Sequence, residues 1–254
     1  YNNSGYIEGA EALPELWAKG AAAYRNAIVK AGWRLDIDLS YGTNPRERFD
    51  LVWPEAAPKG LAVFVHGGYW MRFDKSTWTD LAEGARANGW AICLPSYTLA
   101  PSARIAEMTA QIGAAICASA ALVDGPIHLA GHSAGGHLVS RMMCDDTPLP
   151  EAVFDRLRHV LSISGLHDLR PLRHTSMNAT LGLTAQEAAT ESAALNVPKT
   201  GPSCTAWVGG AERPEFLRQA QLLNMMWKGF DTSVELVVDG AHNHFTVIDA
   251  LKDP

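Results

Sequence analysis

The chain has 254 residues, a formal net charge of −6, 47% apolar residues and 19% charged ones. That balance supplies core enough for a single α/β domain. It offers no Lys/Arg cluster to neutralise phosphates, which excludes nucleic acid as a partner. No apolar run approaches the ~18 residues of a spanning helix, so no membrane partner is expected. Cys93, Cys117, Cys144 and Cys204 lie far apart in apolar segments with no C-x-x-C pair. They read as buried free thiols, which suits a cytoplasmic protein.

In chain order, Glu11 to Ala31 is Ala-rich and helical, delayed by Pro14 and ending near Gly32. Trp33 to Leu39 alternates apolar and polar residues, and Arg48 to Trp53 follows a Gly/Asn/Pro turn. Two such runs predict an antiparallel hairpin at a sheet edge. The pattern then changes to near-continuous apolar runs: Leu61–Val65, Trp90–Leu94, Ile127–Ala130, Val160–Ile163, Cys204–Val208 and Val234–Val238. These read as strands covered on both faces. Helical segments lie between and after them, at Thr77–Asn88, Ala103–Leu122, Gly136–Cys144, Pro214–Trp227 and His244–Leu251. The alternation predicts a mostly parallel sheet with helices on both faces. Residues 168–202 carry three prolines and two short amphipathic pieces, and read as a small cap inserted into one domain spanning 1–254.

Chemistry gathers at predicted strand ends, where open α/β sheets bind ligands. Gly131-His132-Ser133-Ala134-Gly135 joins a strand to a helix and has the G-x-S-x-G form of a nucleophile elbow. Upstream, His66-Gly67-Gly68-Tyr69-Trp70 follows a strand, and its glycines permit a loop whose N–H groups face the site. The N–H groups of Gly68, Tyr69 and Ala134 are the candidates for an oxyanion hole. A serine needs a base. Of nine histidines, His244, in the loop after the last strand, is preferred over its neighbour His242. The base needs an acid. Glu212, in the loop before Pro214, is the first candidate and Asp168 the second.

With loop, elbow, acid and histidine in this order, the chain resembles the α/β-hydrolases, and most closely the kynurenine formamidase group of esterase-like hydrolases. The matching pieces are Tyr1-Asn2-Asn3, His66-Gly67-Gly68-Tyr69-Trp70, Gly131 to Leu138, Ser164-Gly165-Leu166-His167-Asp168-Leu169, Pro214-Glu215-Phe216 and His244-Phe245. The family's acid before Pro-Glu-Phe is an aspartate, so Glu212 inherits the role only if its longer side chain reaches His244. Tyr97 to Pro101 is similar, more broadly, to hormone-sensitive-lipase-like esterases. The resemblance implies an α/β-hydrolase fold and hydrolysis of a small-molecule ester or formamide substrate, with no metal or organic cofactor. Tyr69, Trp70, Leu166, His167 and the cap are expected to line the substrate pocket, and Arg170 or Arg173 to meet a substrate carboxylate. The N-terminal helix and Trp227 are the surfaces considered for a homodimer. The competing reading is a catalytically silent ligand-binding module of the same fold, which the glutamate at 212 keeps open.

Overall fold

Two alternating runs and six apolar ones become the eight strands of one sheet. They are β1 (Leu35–Ser40), β2 (Arg48–Val52), β3 (Leu61–Val65), β4 (Ala91–Pro95), β5 (Ile127–His132), β6 (Leu157–Ile163), β7 (Ser203–Gly209) and β8 (Val234–Asp239). The computed structural model describes residues 1, 3 and 5–254; Asn2 of the Tyr1-Asn2-Asn3 match lies outside the described residues. The strand order is β1-β2-β4-β3-β5-β6-β7-β8. Strands β3 to β8 run parallel, while β1 and β2 form the antiparallel edge expected from their alternation.

The longer helices are α1 (Leu13–Ala31), α2 (Glu83–Ala87), α3 (Ile105–Ala120), α4 (Ala134–Arg141), α5 (Glu151–Phe154), α6 (Asn178–Leu181), α7 (Ala185–Thr190) and α8 (Pro214–Trp227). Strand side chains alternate between two cores. Val63, Val65, Leu129 and Val160 face α3, α4 and α8. Phe64, Ile92, Leu94 and Ile163 face Ile28 of α1, Trp78 and Val247. Segment 168–202 contains only short helices, and its leucines 169, 172, 181 and 183 are buried in the first core.

Strand β3 lies between β4 and β5, so the chain winds outward in one direction and then returns in the other. Such a reversal leaves a crevice at the carboxyl ends of the two strands. The Gly67-Gly68 loop leaves β3 there, and Ser133 leaves β5 beside it.

Four expectations are corrected. In β1, Asp38 takes φ 58° at a register shift between Asp36 and Leu39, which breaks the alternation and leaves Ile37 53% exposed. Thr77–Asn88 is not one helix: 3₁₀ turns occupy Lys75–Thr77 and Thr79–Ala82 before the short α2. His244–Leu251 is not a helix either. Asn243 Oδ1 accepts the N–H groups of Phe245 and Thr246 at 2.9 and 3.2 Å, and only turns and a 3₁₀ piece at Asp249–Lys252 follow. The β-branched run Thr246-Val247-Ile248 disfavours continuing as a helix. Finally, Trp227 offers no contact surface, because it is wholly buried.

Trp227 ties α8 to the end of the 168–202 segment, with Nε1 donating to the carbonyls of Ala193 and Asn196 at 3.0 and 3.2 Å. Replacing it by alanine removes that packing and the indole donor; Ala193 O keeps the Asn196 N–H at 3.1 Å, whereas Asn196 O loses its partner. Trp227→Ala is therefore expected to lower stability by about 3–5 kcal/mol in a denaturant titration.

Candidate active site

Ser133 stands alone between β5 and α4, at φ 56° and ψ −115°. This is a region that non-glycine residues enter only under strain of about 1–3 kcal/mol. Two backbone bonds fix it: its N–H donates to Ile163 O at 2.8 Å, and its carbonyl accepts His137 N–H at 3.1 Å. The close approach of neighbouring backbone requires the flanking glycines. A Cβ on Gly135 would fall 1.9 Å from Val65 O, and one on Gly131 would fall 2.3 Å from Gly135 O. Ala134 opens α4, so its N–H belongs to the first turn and has no intrahelical acceptor.

The loop after β3 holds three consecutive left-handed residues: Gly68 at φ 114°, then Tyr69 and Trp70 at 59°. Gly68 O accepts the N–H groups of Met71 and Arg72 at 3.0 and 2.9 Å, and Trp70 O accepts Ala100 N–H at 2.9 Å. Among the described residues no carbonyl takes the N–H of Gly68 or of Tyr69. The loop thus spends its carbonyls on holding itself and presents those two donors. His66 supports it from below, with Nδ1 donating to Gly67 O at 2.7 Å and the ring stacked 4.7 Å from Tyr97.

Across the sheet edge, His244 Nδ1 lies 2.6 Å from Glu212 Oε2. The glutamate reaches the histidine, so the longer side chain spans the gap. Its other oxygen accepts Gly209 N–H at 2.8 Å and the hydroxyl of Ser164. Ser164, itself at φ 51°, carries no role of its own in the sequence reading, where the stretch Ser164 to Leu169 matters as a family match, for Leu166 and His167, and for its aspartate. Asp168 is engaged elsewhere, by Arg170 at 2.8 Å and more distantly by Arg218. His242 lies at the surface, 2.8 Å from Asp239.

A cavity of about 50 Å³ opens between these parts, with Gly68, Tyr69, Ser133 and His244 in its wall. Trp17, Phe73 and Phe245 contribute aromatic surface. Of the pocket residues expected from sequence, Tyr69 lines this cavity, while Trp70, Leu166 and His167 do not. Trp70 is fully buried behind the loop, its Nε1 donating to His137 Nδ1 at 3.3 Å. His167 is fully buried between Ser140 and Ser162, and Leu166 belongs to the core. Burial of these side chains fixes the backbone around the site rather than its lining. Arg170 and Arg173 are likewise absent from the wall. Among the described residues no group of three or more His, Cys, Asp or Glu is placed to hold a metal ion.

One further contributor stands next to the serine. His132, buried beside Ser133, donates from Nε2 to the carbonyl of His244 at 2.8 Å, with the two rings 4.6 Å apart. Burial first, and the neighbouring His244 second, hold its pKa well below the usual 6.5. A neutral His132 pins the His244 backbone without placing a positive charge against that ring.

A model of the alpha/beta hydrolase family matches residues 62–249. The chain belongs to that family. It is 25% identical over 227 residues to kynurenine formamidase of Danio rerio, covering 85% of this chain and 77% of that protein. A crystal structure from Silicibacter sp. TM1040, designated a "putative thioesterase", superposes with a TM-score of 0.93 at 50% identity, covering 100% of this chain and 94% of that one. Esterase B of Lactobacillus rhamnosis shares the fold at a TM-score of 0.69 and 18% identity, over 93% of this chain and 88% of the other. The hydrolase expected from the motifs is thus a hydrolase of this family, on the expected sheet.

The buried histidines make the fold acid-sensitive. Burial lowers His66 to about 4 and both His137 and His167 to about 3, and holds His132 low as well. As pH falls below 6.5 the unfolded chain takes up protons that these folded sites refuse, so stability is full above that pH and declines below it. Each histidine contributes a slope of up to about 1.4 kcal/mol per pH unit. A melting series should show Tm nearly level from pH 8 to 7 and falling steeply from 6.5 to 5. A level Tm down to pH 5 would contradict this account.

Proposed function

We propose that the chain is a serine hydrolase of small carboxylic esters or aryl formamides, acting through Ser133, His244 and Glu212. The observation that carries this reading is the 2.6 Å Glu212–His244 contact behind a cavity that Ser133 and His244 both line. With Nδ1–H directed to the carboxylate, Nε2 of His244 is the free lone pair. It accepts the Ser133 proton as Oγ attacks the acyl carbon. The carbonyl oxygen becomes an oxyanion held by the N–H groups of Gly68, Tyr69 and Ala134. His244 returns the proton to the departing alcohol or amine, leaving an acyl group on Ser133. Water, deprotonated by His244, then attacks that acyl-enzyme and releases the acid and the free serine. Glu212 stays ionised throughout and stabilises the imidazolium.

The small volume beside Ser133 suits a formyl or short acyl group. The 25% likeness to kynurenine formamidase favours the formamide, and the 50% likeness to the Silicibacter protein raises a thioester as a second substrate bond. Both proceed by the same acyl transfer. Four free cysteines support a reducing, cytoplasmic setting. Exposed Leu16 and Val29 leave α1 as the surface for a proposed homodimer.

Hydrolysis of N-formylkynurenine, phenyl acetate and an acetyl thioester, measured side by side, ranks the three bonds. Ser133→Ala should lower kcat on each by at least about 10⁴-fold. Equal rates in wild type and Ser133→Ala would remove Ser133 as nucleophile and favour the silent binding module. Glu212→Gln should lower kcat by about 10³–10⁴-fold with little change in KM, because an amide cannot hold the required tautomer or balance the imidazolium.

A further inference from the structure

The small cavity at Ser133 has a larger neighbour. A second cavity, of about 350 Å³, lies beyond Tyr69 and Arg72, which belong to the walls of both. Its other walls come from Met71, from Tyr1, and from Thr175, Ser176 and Met177 of the 168–202 segment. Among the described residues, Arg72 is the only Lys or Arg in either wall and no carboxylate lines them. Its guanidinium has no hydrogen bond or ion pair among the described residues, whereas Arg46, Arg48, Arg86, Arg104, Arg141, Arg156, Arg170 and Arg218 all have partners. The backbone beneath it is fixed, since Arg72 N–H closes the left-handed loop on Gly68 O.

We propose that Arg72 is a specificity-determining residue that binds an oxyanion group, carboxylate or phosphate, on the leaving group of the substrate. This inference rests on the acyl-transfer reading of the site. The acyl part occupies the small cavity at Ser133, and the leaving group passes Tyr69 into the larger one. Its charge there meets a cation held close to the oxyanion loop by only three residues of chain. Two or more charge-assisted N–H bonds become available to a planar carboxylate or a phosphate oxygen. The sequence had assigned this task to Arg170 or Arg173, the first of which is engaged by Asp168. An exposed arginine with no acidic neighbour in the wall leaves the charge open for ligand.

The test uses three acetate esters of the same phenol: one neutral, one bearing a para-carboxylate and one a para-phosphate. The readout is the ratio of kcat/KM for each charged ester to that for the neutral one, in wild type, Arg72→Gln and Arg72→Lys. Arg72→Gln should lower the ratio for at least one charged ester by about tenfold or more, mainly through KM, and the ester that loses more identifies the group. Arg72→Lys should restore part of it, and added salt should erode the wild-type preference. Ratios that do not move in Arg72→Gln, or equal losses on all three esters with a lowered Tm, would overturn the assignment while leaving the hydrolase reading intact. Failure of wild type to cleave any of the three would instead overturn the hydrolase reading.

Discussion

The Glu212–His244 contact is the interaction around which the rest of the site is arranged. A buried carboxylate is costly unless its oxygens are met, and Glu212 has a partner on every side. Ser164 supplies a hydroxyl from just beyond β6, Gly209 supplies an N–H from the end of β7, and His244 arrives from the loop after β8. Ser133 lies just past β5 and the Gly67-Gly68 loop just past β3. Five strand ends of one parallel sheet therefore converge on the cavity lined by Ser133 and His244 and on the Glu212 contact behind it. Parallel pairing sets their spacing, so the geometry is a property of the sheet rather than of flexible loops.

Strain and burial hold the parts in place. Ser133, Ser164, Tyr69 and Trp70 all adopt left-handed backbone, and each lies at a carboxyl end of a strand or in the loop that follows. Such conformations persist only where surrounding bonds over-determine them. Here Ser133 N–H and Ser164 N–H are taken by carbonyls of β6 and β7, Ile163 and Trp207. Trp70 fills the core behind its own loop. The buried histidines serve as neutral donors: His66 holds the Gly67-Gly68 loop, His132 holds the His244 backbone, and His137 joins Trp70 to the Glu191 carbonyl. Their neutrality ties the site's rigidity to pH.

Much of this was legible in the sequence because periodicity and spacing carry it. Apolar runs gave the parallel strands, and G-x-S-x-G after such a run gave the turn at Ser133. The reach of Glu212 to His244 was not legible, since side-chain length alone does not say how far apart two loops lie. Trp70 and His167 were expected at the pocket because aromatic and polar residues in loops suggest ligands, but both point inward, where Trp70 packs and His167 finds serine hydroxyls. Ser164 went unnoticed because a serine donating to one carboxylate oxygen has no sequence pattern. Arg72 went unnoticed because the absence of a partner is a property of space, not of order along the chain. The missing last helix follows from local chemistry, an asparagine turn and three β-branched residues.

The most direct measurement is reaction with a small fluorophosphonate ester, followed by mass spectrometry of the digested protein. The account predicts one phosphonyl group per chain, on Ser133, forming far more slowly in His244→Ala. Modification of another residue, or none at all in folded wild-type protein, would contradict the claim that His244 and Glu212 activate Ser133.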